Sequence, residues 1–145
     1  MVDVKTWLGM AAAMVVTACT HQPASQADPE LLGSLMQNSW RIESIAAGGV
    51  IDYSPAQLTF AADGTFSGNG TCNRIFGDYK LEGALLSIAQ NIAATRMACP
   101  EALMNQEQKL LQVLPGTHKV VLDNAILTLT NSAGKEVIKA AATAP

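Results

Sequence analysis

Beyond its first twenty residues the chain carries two cysteines, and these are its most reactive side chains. Cys72 lies inside Phe-Ser-Gly-Asn-Gly-Thr-Cys-Asn-Arg-Ile-Phe-Gly-Asp-Tyr (66 to 79), and Cys99 ends Thr-Arg-Met-Ala-Cys (95 to 99). The two are expected to meet. A disulfide there would close a loop of about 28 residues and stabilise the fold by roughly 3.5 kcal/mol through the entropy it removes from the unfolded chain. Two buried free thiols or a reactive pair are the other readings, although no Cys-x-x-Cys spacing or helix start supports a nucleophilic Cys72.

Other chemistry is harder to assemble. Met97, Cys99, Met104 and Cys72 are soft donors of the type that binds Cu(I), but methionine is more often core filler, and the expectation is no metal and no cofactor. His21 falls in a polar stretch and His118 follows Pro115-Gly116-Thr117, where an exposed loop is expected; neither has the spacing of a zinc site or a catalytic triad. Asp52, Asp63, Asp78 and Asp123 each adjoin a turn signal, where aspartate ties its own backbone. Gly68-Asn-Gly70 lacks the third glycine and the helix of a phosphate cradle. No catalytic residue is therefore assigned. Asn73 beside the glycines is expected to brace the bend, and Asn73, Arg74, Thr95 and Arg96 form a candidate interaction patch.

The elements that would position these residues are short. Trp40 to Ile45 alternates as a half-buried strand, and Leu58–Phe60 and Thr65–Gly70 form a hairpin about Ala62-Asp63-Gly64. Tyr79–Glu82 and Leu85–Ile88 pair across Gly83-Ala84, and Ile92 to Ala98 completes that run. Leu103, Leu110, Leu111 and Leu114 make one stripe of a helix that opens at Pro100 and stops at Pro115-Gly116. Lys119–Leu122, Ala125–Thr130 and Glu136–Ala140 follow as strands, and a short helix through Leu31, Leu32, Leu35 and Met36 leads in. About eight antiparallel strands with one apolar face each cannot remain an open sheet without exposing edges, so a compact, mainly β barrel or sandwich with one packed helix is expected.

Charge narrows the partners. The net charge is -3, and the nine Lys and Arg residues are scattered singly, so there is no basic field for nucleic acid. The apolar excess lies at the start, where Trp7 to Val16 runs about ten residues, half of the roughly 20 needed to span a bilayer. Val16-Thr17-Ala18-Cys19 after it resembles a bacterial lipobox, although Asp3 sits where positive charge is usual. That predicts a lipoprotein signal peptide over residues 1–18, lipidation at Cys19 and a flexible tether over 19–33 with Pro23 and Pro29. Thr20, not aspartate, follows the cysteine, and the resemblance to such lipoproteins then implies the outer membrane, facing the periplasm.

The order Leu-Thr-Phe (58 to 60), Phe-Ser-Gly-Asn-Gly-Thr-Cys-Asn (66 to 73), Gly-Asp-Tyr (77 to 79), Thr-Arg-Met-Ala-Cys (95 to 99), then Glu107 and Leu110-Leu111 on a helix, resembles the META domain of the HslJ heat-shock lipoproteins. The resemblance covers a domain over 34–141; Thr71 stands where family members often carry another small residue. It implies a compact β-rich fold and a stress-associated envelope protein without catalytic activity. On that basis the chain is expected to be a non-catalytic binding or structural module, anchored to the membrane and contacting an envelope protein or small ligand. A disulfide-based redox protein and an inhibitor of an envelope-directed enzyme are the alternatives.

Overall fold

The structure is a computed structural model and describes residues 26–144. The expected signal peptide, the lipidation site Cys19 and His21 lie outside the described residues.

The described chain begins with helix α1 (Pro29–Gln37), whose start is written in two residues: Asp28 accepts N–H bonds from Glu30 (3.0 Å) and Leu31 (3.2 Å), and Pro29 supplies a preset first turn. Ten strands and a second helix follow: β1 (Ser39–Ile45), β2 (Gly48–Gly49), β3 (Gln57–Phe60), β4 (Thr65–Asn69), β5 (Arg74–Glu82), β6 (Leu85–Ile88), β7 (Ala93–Ala94), α2 (Glu101–Val113), β8 (Gly116–Asp123), β9 (Ile126–Thr130) and β10 (Glu136–Thr143). The path β1-β3-β4-β5-β6-β8-β9-β10 closes when β10 pairs with β1 over Ser39↔Thr143 to Ile45↔Ile138. The result is an eight-stranded antiparallel barrel. β2 extends from β1 and β7 from β5.

Closure removes the edges that an open sheet would leave to other chains. The interior is filled by Trp40, Leu58, Phe60, Phe66, Ile75, Leu86, Leu127, Leu129 and Ile138, all 2% exposed or less. Both helices add to it, α1 through Leu35 and α2 through Leu110, with Leu114 just past its end. Trp40 shows how α1 is held: its ring nitrogen donates to the Leu35 carbonyl at 3.0 Å, so the indole is buried with its one polar atom satisfied.

Two bulges re-aim side chains that simple alternation would misplace. Trp40, Ile42 and Ser44 share one face in the strict alternation of β1, which would turn Ile45 outward. An extra residue between Ile42 and Ser44 shifts the register against β10 and brings Ile45 inside. A second shift between Glu136 and Ile138 lets both Val137 and Ile138 be buried in β10.

His118 departs from the exposed loop expected for it. Gly116 takes φ +111°, so the chain leaves α2 and enters β8 without a loop, and His118 then alternates inward with Val120. It is 4% exposed. Its Nε2 donates to the Leu114 carbonyl at 2.9 Å, and its Nδ1 is buried without a partner among the described residues. Ile92 to Ala98 is likewise not a full strand. Only Ala93 and Ala94 join the ladder; a side chain holds the rest.

Candidate functional site

That side chain belongs to the turn between β4 and β5, residues 70–73. Gly70 N–H bonds the Asn73 carbonyl at 2.7 Å and Thr71 N–H bonds Asn69 Oδ1 at 2.8 Å. The backbone demand falls on a residue that sequence reasoning did not single out for it. Thr71, not a glycine, has φ +120°, a conformation rare for a β-branched residue.

The compensation comes from α2. Gln106 and Glu107, each 7% exposed, face inward from this helix. Gln106 donates from Nε2 to Thr71 Oγ1 (2.8 Å) and Ser54 Oγ (2.7 Å), and its Oε1 accepts the Ile51 N–H (2.7 Å). Glu107 Oε2 accepts the N–H groups of Cys72 (3.0 Å) and Asn73 (2.6 Å), while Oε1 accepts Asn73 Nδ2 (2.7 Å). No cation pairs with this carboxylate among the described residues, so three N–H dipoles do the work of a counter-charge. A Cβ on Gly70 would stand 2.7 Å from Oε2 and 2.9 Å from Cγ of Glu107, so only glycine admits the carboxylate at this depth.

Asn73 passes the constraint outward. Its Oδ1 accepts the N–H of Met97 (2.6 Å) and the hydroxyl of Thr95 (3.1 Å). Arg74 N–H in turn donates to Thr95 Oγ1 (3.1 Å), and Thr95 N–H to the Arg74 carbonyl (3.0 Å). Cys72 and Cys99 are bonded, with Cα atoms 5.9 Å apart, closing the same two segments covalently. Of the four patch residues, Asn73 is buried, whereas Arg74, Thr95 and Arg96 are exposed on adjoining positions. The Arg74 guanidinium carbon lies 5.7 Å from the centroid of the half-exposed Phe76 ring.

Sequence reasoning placed Cys72, Asn73, Thr95 and Cys99 in play but gave Gln106 no role. The signal was available: Glu107 falls at i+4 from Leu103 and Gln106 at i-4 from Leu110, polar residues inside or beside an apolar stripe. Among the described residues, no group of three His, Cys, Asp or Glu side chains is placed to hold a metal ion.

A small closed β-barrel stapled to a packed helix by a disulfide and a buried carboxylate defines the class of protein. The model of the META domain matches residues 33–144, and the chain belongs to the META domain family. Three solved structures share the fold. An NMR structure of a protein from Burkholderia xenovorans is 22% identical, with TM-score 0.62, over 97% of this chain and 99% of that one. A second NMR structure is 25% identical, with TM-score 0.59, over 76% of this chain and 93% of that one. The crystal structure of a DUF4847 family protein from Bacteroides vulgatus is 16% identical, with TM-score 0.59, over 79% and 99%. A comparison with curated proteins finds no match.

Proposed function

We propose that this protein is a lipid-anchored, stress-associated envelope protein whose META domain is a non-catalytic binding module. One observation carries the reading: the exposed residues Arg74, Thr95 and Arg96 stand on two segments locked together by reciprocal bonds between Arg74 and Thr95, with Asn73 and the disulfide behind them. A surface fixed before contact loses little conformational entropy on binding, which is what a recognition patch needs and what a simple spacer does not. One guanidinium over an aromatic ring, with the exposed Arg96 on the adjoining segment, suits an acidic protein surface. Cys19 supplies the anchor and the residues between it and Gln26 the reach, a shorter tether than the expected 19–33 because Ala27 bridges to Gly83 and α1 starts at Pro29; the outer membrane, facing the periplasm, is the location this reading assigns.

The test uses the full-length chain in envelopes, with a photoreactive residue in place of the exposed Ala94. Crosslinking to a discrete acidic protein, lost in Arg74→Ala and Arg96→Ala, is the expected result. Absence of any discrete adduct overturns the binding-module reading. In the same fractions Cys19→Ser is expected to move the chain from membrane to soluble material; a variant that stays with the membrane removes the anchor.

A further inference from the structure

A groove of about 450 Å³ runs between α2 and the segment that precedes Cys99, on the side where Met97 meets the helix. Its apolar surface comes from Met97 and Met104, 62% and 46% exposed, with Leu111 beside them. Gln108 and Gln112 supply neutral polar groups. Glu107 also lines it, and among the described residues that do so it is the only one with a formal charge.

Two features turn this surface into a site. First, the Glu107 carboxylate is more than nine-tenths buried, with three N–H partners and no cation among the described residues. Oε2 takes two of those donors and Oε1 only one, and a carboxylate has about four acceptor positions, so Oε1 retains capacity for a further donor. Second, the thioethers beside it are soft, adaptable apolar surface, which accepts alkyl chains of varied shape. A groove with one negative pole, uncharged polar flanks and methionine walls complements a molecule with one positive pole and an apolar body. Its volume is that of a small-molecule site.

We infer that this groove binds a small amphipathic primary amine, its ammonium donating to Glu107 Oε1 and its alkyl body lying on Met97 and Met104. The ammonium is both donor and counter-charge, which a neutral alcohol supplies only in part and a carboxylate not at all. The assignment goes beyond the partner-contact reading and does not depend on it, because the groove and the Arg74 patch are read by different variants.

The experiment is a nitrogen-15 NMR titration of the full chain with hexylammonium, hexanol and hexanoate. Hexylammonium is expected to shift the amides of Asn73, Met97 and Glu107 saturably, hexanol more weakly, and hexanoate not at all. Gln108→Lys, an exposed position that adds a competing cation to the groove, is expected to weaken hexylammonium about tenfold, a loss of about 1.4 kcal/mol, with the remaining spectrum unchanged. Equal shifts by hexanoate, no saturation with hexylammonium, or full affinity in Gln108→Lys each overturn the assignment. Tighter binding of Nα-acetyl-lysine methylamide than of hexylammonium overturns it in favour of a lysine-bearing protein. None of these outcomes bears on crosslinking from Ala94, so the two ideas fail separately.

Discussion

Glu107 and Asn73 meet through two parallel bonds: the Asn73 backbone N–H reaches Oε2 at 2.6 Å and its side-chain amide reaches Oε1 at 2.7 Å. Thirty-four residues separate them in sequence. The pair couples the only long helix among the described residues to the β4–β5 turn, and Asn73 Oδ1 extends the coupling to Thr95 and Met97. Much of the local structure hangs on one carboxylate.

Glu107→Gln is expected to destabilise the domain by about 3 kcal/mol, because an amide keeps one acceptor and turns a donor toward donors already buried there. Urea denaturation followed by tryptophan fluorescence measures it. A loss within experimental error of zero would show that the turn finds other partners.

Gly70→Ala puts a methyl group where Glu107 Oε2 and Cγ stand at 2.7 and 2.9 Å. Displacing the carboxylate is expected to cost about 2 kcal/mol. Gly33→Ala is the control, since nothing lies within 4 Å of its Cβ and it sits inside α1. It is expected to stabilise by about 0.5–1 kcal/mol through helix propensity, so the same exchange has opposite signs at the two sites.

Replacing Cys72 and Cys99 together by serine opens a covalent loop with a sequence separation of 27. The expected cost is about 3 kcal/mol, with the barrel retained because the strand ladder and core do not pass through the bond. Thermal unfolding with and without reductant checks this: reductant lowers the wild-type midpoint to that of the double variant and leaves the variant unmoved.

Tyr79 is the alkaline weak point. Its hydroxyl donates to the Ala61 carbonyl at 2.7 Å, and burial, followed by the nearby Asp63 charge, raises its pKa above the ordinary 10.0. A group that holds its proton more tightly when folded contributes stability that is complete below the unfolded pKa and is lost as pH rises through the higher folded value. Stability is therefore expected to fall above about pH 10, and Tyr79→Phe is expected to flatten that fall while losing the hydrogen bond at neutral pH. Denaturation midpoints from pH 8 to 11 for both proteins decide it.

Asp63 has the opposite sign. Bonds from the Thr65 hydroxyl and backbone N–H, in that order, hold its pKa below the usual 3.8. Its contribution is present above the unfolded value and fades as pH drops through the lowered one. Asp63→Asn is expected to reduce acid sensitivity below about pH 4 in denaturation midpoints taken from pH 2 to 7, and to make the alkaline fall slightly shallower because the charge that helps raise the Tyr79 pKa is gone.

Local physics made most of the elements legible. Alternation marked the strands, the Leu103 to Leu114 stripe and Pro115-Gly116 marked α2, and Asp63-Gly64 and Gly83 marked hairpins that form across Phe60↔Phe66 and Glu82↔Leu85. Those signals depend on residues a few positions apart, so the chain alone determined them, along with the edge argument that the strands should close. Register slips did not declare themselves: the bulge at Ile42/Ser44 arises from pairing between opposite ends of the chain, and the one at Glu136/Ile138 interrupts the alternation inside the β9–β10 hairpin. His118 was misplaced because the turn signal before it was read as a loop, whereas Gly116 passes directly from helix to strand. Only the tertiary structure could decide that a glutamate on α2 would abandon water for the Cys72 and Asn73 amides, since the donors that compensate it come from a distant segment and nothing in its own neighbourhood supplies them.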